Sequence, residues 1–464
     1  MAAMKSETSL ALRRGTIGQG FAARVLATEP RLFVAVAAFV LVTRVPFLDA
    51  GYGAIRDAWR VASAARLTAT THEYWASRLP PHPVHELASA SIWWGGPVAL
   101  NLATAVVSAF GIAFFALAAR RLGYSSWLPM TAALAMTPQI YINSTSTTDH
   151  LWALAFILAG LYFALRGQPL ATGVLLGLAI GSRMTSGAML LPLSIVIALR
   201  GDRERRLRGI VVLWLAAWAV GIITFVPAFR RYGWDTFSFA EIAEYGPYDV
   251  LRRASLEVWG AVGTVGLCAA VAYQALRRMR SPHRWGLPGL RPYSYVWLSA
   301  VVLYVIAFLR LPHLPSYLIP AVPFVLLLLH ELLDRRAFVA ACAALIVSPF
   351  VGIGPSGLRS GAIFDDRRKR TALEQAAEGF VETGNRLPGR NVIVAGHWFA
   401  PVYVYVLEYP DDSSRYVYLL TAEEAERHRS RGHDLYYLPG QRQLNLERNG
   451  VDLQEYGARP LARR

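Results

Sequence analysis

Apolar residues in this chain come in runs rather than being spread evenly. Nearly uncharged stretches occupy about residues 32–48, 95–119, 125–142, 150–165, 169–181, 186–199, 209–228, 255–276, 293–309, 316–333 and 337–354. About 20 apolar residues cross a hydrocarbon core as a helix. The pattern therefore predicts a polytopic α-helical membrane protein with about 11 transmembrane segments. The runs at 169–181 and 186–199 are short and are separated by "GSRMTSG". They read as two half-depth helices or one long kinked helix.

The polar connections carry a second pattern. The arginine-rich stretches "RRLG" (120–123), "RGDRERRLRG" (200–209), "RRMRSPHRWG" (277–286) and "DRR" (334–336) share one side if the segments alternate. Basic short loops stay cytoplasmic. Segment 1–31, with Lys5, Arg13, Arg14, Arg24 and Arg31, joins that side. It lacks a small-residue cleavage site, so 32–48 reads as a retained signal anchor. The outer side then receives loop 49–94, "INSTSTTDH" (142–150), loop 229–254, the turn "RLPHLPSY" (310–317) and the tail after 355.

The periodicity changes in that tail. "TALEQAAEGFVETGNRLPG" reads as a helix ending near Gly384 and Pro388. "NVIVAG", "RYVYLL" and "DLYYLP" read as short strands, with the polar helix "TAEEAERHRSRG" between the last two. Strands alternating with helices predict a small parallel α/β domain over 360–464, extracytoplasmic on this topology. The transmembrane part is then 32–355, including outer loop 49–94. The tail contains no GxGxxG and no P-loop.

Composition sharpens this picture. The chain is 54% hydrophobic and 17% charged, with mean hydropathy +0.33, which excludes an ordinary soluble domain. A net charge of +16 raises nucleic acid as a partner, but the arginines cluster at the ends of apolar runs, where topology accounts for them. Cys268 and Cys342 both lie inside apolar runs, which leaves no disulfide framework or zinc site.

Loop 49–94 holds the first candidate chemistry. Over 54–66, Ile55, Ala58, Trp59, Ala62 and Ala65 share one face, with Arg56, Arg60 and Ser63 turned away. That spacing predicts an interfacial helix lying on the bilayer, with Asp57 in it. The prolines of "SRLPPHPVHELA" (77–88) then bend Arg78, His82, His85 and Glu86 back toward the membrane. Asp149 with His150, Arg183, and Arg310 with His313 complete four outer-side clusters of ionisable groups near membrane depth, where such groups are costly. Arginine forks suit phosphate, and an aspartate suits proton abstraction from a hydroxyl.

Structural readings compete with these. Asp57 can pair with Arg60 at i, i+3. Asp149 follows "STSTT" and is better read as a helix N-cap. Arg183 and Arg44 can snorkel. His82, His85 and Glu86 form a weak HxxHE metal pattern, for which structural roles weigh more.

The stretches "LVTRVPFLDAGYGAIRDAWRVA", "HPVHELASASIWWGG", "FALAARRLG", "TPQIYINSTSTTDHLWALAFILAGLYFALRG", "GLAIGSRMTSGAMLLPL" and "LPHLPSYLIPAVPFVLLLL" resemble, in order and spacing, the GT-C glycosyltransferases. These polytopic enzymes include protein O-mannosyltransferases and the aminoarabinose transferase of lipid A. The resemblance covers about residues 30–335 and is nearest to poorly characterised prokaryotic members. It implies a polyprenyl-phosphate-linked sugar donor used on the outer face of the inner or plasma membrane, with an acceptor hydroxyl it does not specify. Asp57 matches the family's catalytic carboxylate, a general base for inverting transfer. Many members carry Asp-Glu there; this chain has Asp57-Ala58, which weakens any case for a metal held by the pair. Arg183 matches the donor-phosphate cation, and the helix start at "LPHLPSYLIPAVP" adds His313 and Tyr317. Arg78 joins them at the phosphate, while Asp149, His82 and Glu86 fall in acceptor-side or supporting roles. No cofactor is called for, and a divalent metal is not favoured. The alternatives are a lipid flippase or transporter without glycosyl transfer, and an enzyme of lipid-linked polymers such as an O-antigen ligase.

Overall fold

A computed structural model describes residues 28–200, 203–238, 245–280, 291–354, 357–406 and 415–461. Of the expected cytoplasmic segment 1–31, residues 1–27 lie outside the described residues, as do parts of the arginine runs at 201–202 and 281–290. Each of the eleven apolar runs contains helix, although the last, 337–354, leaves its helix at Val347 and ends in a strand at Val351–Gly354. Six helices among the described residues are long and apolar enough to cross a membrane: Glu29–Phe47, Trp93–Arg121, Glu204–Phe237, Pro247–Met279, Pro292–Arg310 and Pro315–Leu332. The others, Trp127–Met136, His150–Leu165, Pro169–Ser182, Met184–Ala198 and Arg335–Val347, are shorter. At about 1.5 Å per residue such helices fall short of a core of about 30 Å. Proline shortens one of them. Thr137 is extended ahead of Pro138 (ψ 127°), so the 125–142 run breaks in two.

Small residues let the central helices approach closely. A Cβ on Gly111 would lie 2.6 Å from Ala155 Cα. Gly173, Gly177 and Gly181 form a stripe at four-residue spacing against helix Arg203–Tyr232. A Cβ on Gly177 would lie 2.8 Å from Ala217 O, and one on Gly181 2.4 Å from Thr224 Oγ1. Without a hydrophobic drive between helices in lipid, such close backbone packing carries the association. Helix Pro169–Ser182 ends at Arg183, whose backbone is extended.

Two sequence readings are corrected at the end of the helices that carries loop 49–94. Arg44 does not snorkel. It is fully buried, its Nε donates to Ser144 Oγ at 2.8 Å, and its guanidinium lies 3.8 Å from the Tyr141 ring centroid. A buried guanidinium needs such partners, and the 135–144 backbone and side chains supply them. Helix Arg56–Thr71 forms as expected, but protein rather than lipid covers its apolar face. Trp59 is fully buried beside Tyr405, Ser63 is buried instead of turned outward, and Arg66 donates to Val404 O at 2.7 Å.

The covering surface belongs to the tail. Strands β1 (Val351–Gly354) and β2 (Gly357–Ser360) pair antiparallel, and helix Ala362–Asn385 follows. Strands β3 (Asn391–Val394), β4 (Tyr416–Val417), β5 (Asp434–Tyr437) and β6 (Arg459–Pro460) then form a parallel sheet in the order β4-β3-β5-β6. β3 is buried along its whole length, as a strand covered on both faces must be. Arg370 bolts the tail to the membrane part. Fully buried, it donates to Gly51 O at 2.6 Å, Phe47 O at 3.3 Å and Thr145 Oγ1 at 3.3 Å.

Candidate active site

Four separate elements meet at one end of the helices. Asp57 projects from the first turn of helix Arg56–Thr71, and Arg78 from the proline-bent strap that follows it. Asp149 immediately precedes helix His150–Leu165, and Arg183 is the extended residue that ends helix Pro169–Ser182. Arg78 Nη2 donates to Asp149 Oδ1 at 2.8 Å, and Arg183 Nη1 to Asp149 Oδ2 at 2.5 Å. Arg78 also reaches Asp57, with Nε 3.6 Å from Oδ2. Asp57 lies 3.6 Å from Arg60 as well, so the i, i+3 pair exists but is not its sole partner.

The two carboxylates differ in access. The Asp57 side chain is 22% exposed and that of Asp149 is 1% exposed. The N-cap reading of Asp149 is overturned. Its backbone is already helical (φ −77°, ψ −18°), and its side chain makes no capping bond because both oxygens are held by arginines. Burial would push the Asp149 carboxyl up, but His82, Arg78 and Arg183 outweigh it and hold the group well below the ordinary carboxylate range. Burial also drives His82 well below the usual imidazole value, and Arg78 and Arg183 add to this. Arg78 and Arg183 set two positive charges against the one Asp149 carboxylate, so the cluster keeps a positive surplus.

A cavity of about 370 Å³ opens over this cluster. Asp57, Arg78, His82, Arg183, His313 and Tyr317, all singled out in the sequence, line it together. Arg310 lines it too, so three guanidinium groups face the space and the surplus charge is positive. Leu79, Met184, Phe308 and Leu311 add apolar surface to the same lining. Arg183 lies 5.0 Å from the Tyr317 ring centroid. Buried polar groups in the lining lack partners among the described residues: Arg78 Nη1, both ring nitrogens of His82 and the Tyr304 hydroxyl. Buried groups of this kind are ordinarily hydrogen-bonded; of these, His82 Nε2 comes no nearer than 3.8 Å to Asp149 Oδ2.

Asp149 stands directly behind the cavity wall. Glu86 does not reach the cavity. Its carboxylate accepts from the Ser77 amide at 2.7 Å, the Ser77 hydroxyl at 2.5 Å, the His82 amide at 3.1 Å and the Tyr74 hydroxyl. It thus shapes the strap that carries Arg78 and His82. Among the described residues no group of three or more His, Cys, Asp or Glu side chains is arranged to hold a metal ion.

The sequence reading missed the support of His313 and the role of Tyr304. Tyr245 Oη lies 2.7 Å from His313 Nδ1, the Arg253 guanidinium lies 4.0 Å from the Tyr245 ring centroid, and Arg253 donates to Pro312 O. A hydroxyl inside the apolar run "AVVLYVIAF" was the available signal for Tyr304, but a single tyrosine there is equally ordinary as core.

No protein-family model matches the chain, and no curated protein matches it. Two solved structures of ArnT from Cupriavidus metallidurans are similar to it. The one bound to undecaprenyl phosphate shares 18% identity over 81% of this chain and 68% of that chain, with a TM-score of 0.44. The apo form shares 17% identity over 81% and 67%, also at 0.44. Superposition at this level is loose, and the functional reading rests on the residues of the cavity.

Proposed function

We propose that the protein is a membrane glycosyltransferase that moves a sugar from a polyprenyl-phosphate donor to an acceptor hydroxyl on the outer face of the inner or plasma membrane. In this reading the N-terminus is cytoplasmic and the tail extracytoplasmic. One observation carries it: a partly exposed carboxylate, Asp57, shares a cavity with an unsatisfied guanidinium nitrogen of Arg78, and much of the remaining lining of that cavity is apolar. A lipid-linked phosphate needs both a cationic end and an apolar wall.

Asp57 takes the proton of the acceptor hydroxyl. The freed oxygen attacks the anomeric carbon, the bond from that carbon to the phosphate oxygen breaks, and polyprenyl phosphate leaves as an anion, with inversion at carbon. Arg78 and Arg183 stabilise the charge gathering on the phosphate, and Arg310, His313 and Tyr317 border the same space. The leaving group is already ionised, so no general acid is required. Asp149, clamped by both arginines and nearly inaccessible, positions them and is unsuited to be the base.

The test is transfer from a panel of radiolabelled polyprenyl-phosphate sugars, undecaprenyl phosphate sugars first, in membranes holding wild type or Asp57→Asn at equal expression. Transfer by wild type that vanishes in Asp57→Asn is expected. Equal transfer by both would remove Asp57 from the chemistry, and no transfer from any donor would sink the reading.

A further inference from the structure

A second cavity, of about 280 Å³, lies between the tail and the outer-loop helix. Its position follows from sheet topology. In the order β4-β3-β5-β6 the chain steps from β3 to one side, then crosses to the other, so the order reverses between β3 and β5. Parallel α/β sheets bind ligands outside the carboxyl ends of the strands at such a switch point. His397 and Trp398 follow the end of β3, Gln441 follows β5, and all three line this cavity. Arg56 and Trp59 of helix Arg56–Thr71 and Leu373 of helix Ala362–Asn385 complete the lining.

The two sides are fitted to each other. The Gln441 side-chain oxygen accepts the His397 amide at 2.8 Å. Gly396 adopts φ +47°, where a Cβ would lie 2.0 Å from that oxygen, so only glycine permits this approach. Arg56 Nη1 lies 2.7 Å from His397 Nδ1. An arginine can only donate, so Nδ1 accepts and the proton of a neutral ring sits on Nε2. Partial desolvation, with Arg56 and Arg448 nearby, lowers the His397 pKa and favours that neutral ring. The cavity therefore offers an indole, a guanidinium and an imidazole around a space the size of one or two sugar rings, and it lacks the glycine-rich turn of a nucleotide site.

We propose that this cavity is a saccharide subsite. It rests on the transferase reading and names the acceptor class: a glycan whose terminal ring packs on Trp398, with its hydroxyls meeting Arg56 and His397. Arg56 lines this cavity and Asp57 lines the first, so consecutive residues in the first turn of one helix border both spaces. The tail then selects the acceptor, while the membrane part binds the donor.

The test is saturation-transfer NMR on the full chain in nanodiscs, with methyl glucoside, mannoside and galactoside as probes. At least one probe should receive saturation from wild type and from Asp57→Asn alike. The signal should fall roughly tenfold in Trp398→Ala and in His397→Ala, as loss of a stacking or donor group predicts. Trp398 also packs edge-on against Phe380, 5.1 Å between ring centroids, so Trp398→Ala risks misfolding; the exposed His397→Ala keeps the test decisive. No saturation in wild type, an unchanged signal in a folded His397→Ala, a signal lost in Asp57→Asn, or binding of a serine-rich peptide in place of every glycoside would each overturn the subsite. Glycoside binding without sugar transfer from any donor would instead remove the transferase reading and leave a saccharide site.

Discussion

Arg78 and Asp149 are 71 residues apart in sequence, yet Arg78 Nη2 lies 2.8 Å from Asp149 Oδ1 while its Nε faces Asp57. One guanidinium thus ties the outer loop to the start of helix His150–Leu165, and it divides two carboxylates into a clamped one and an accessible one.

This division predicts opposite behaviour in two variants. Asp149→Ala strands Arg78 and Arg183 in a buried site, and removing one partner of a buried pair costs about 3–5 kcal/mol. Asp57→Asn removes a partly exposed group and should cost about 1 kcal/mol or less. Thermal unfolding in detergent should rank Asp149→Ala far below Asp57→Asn, although both lose transfer. Equal melting temperatures would show that the clamp does not hold the site together.

Tyr317 presents its ring face to Arg183 at 5.0 Å. Tyr317→Phe keeps that face and should leave donor KM near wild type. Tyr317→Ala removes a cation–π contact of about 1–2 kcal/mol and should raise donor KM roughly tenfold. A Phe variant as impaired as Ala would transfer the role to the hydroxyl.

Asp366, in helix Ala362–Asn385, gives a pH signature. Burial raises its carboxyl to about 6, against an ordinary value near 3.8, although Arg370 lies 3.6 Å away. A carboxyl whose pKa is higher in the folded state stabilises that state while protonated. Its contribution is therefore full below about pH 4 and lost as pH rises through about 6, by at most about 3 kcal/mol. Melting curves from pH 4 to 7 should show this loss in wild type relative to Asp366→Asn. Parallel pH profiles for the two proteins would contradict it.

The glycine stripe on helix Pro169–Ser182 has no room for side chains. Gly177→Leu would drive its side chain into Val220 and the Ala217 carbonyl. Overpacking should cost about 2 kcal/mol or more and displace Arg183 at the helix end. The expected result is lower melting temperature and raised donor KM together; wild-type values for both would show that the helix pair tolerates separation.

How much of this was legible depends on the kind of signal. The eleven apolar runs and the tail's strand–helix alternation are periodic patterns read locally, and they placed the helices and β3, β4 and β5. Asp57 and Arg183 were legible because charge beside lipid is costly enough to require a reason. Asp149 read as a cap, since "STSTTD" before an apolar run is cap chemistry; its arginine partners are 71 and 34 residues away and leave no local trace. The apolar face of helix Arg56–Thr71 was visible, but a periodicity of small and aromatic residues looks alike whether lipid or a distant helix covers it.

The sequence by itself determined that the chain is helical and built for a membrane, that loop 49–94 carries an acid among arginines, and that its tail alternates strands and helices. These follow from local spacing and from the cost of polar groups in an apolar medium. Tertiary structure alone decided which carboxylate is clamped and which is accessible, that the tail seals the outer-loop helix, and that Gly51 and Thr145 share Arg370 with that tail. Such choices depend on which distant groups reach one another, because the charge state and access of a side chain are set by its neighbours in space.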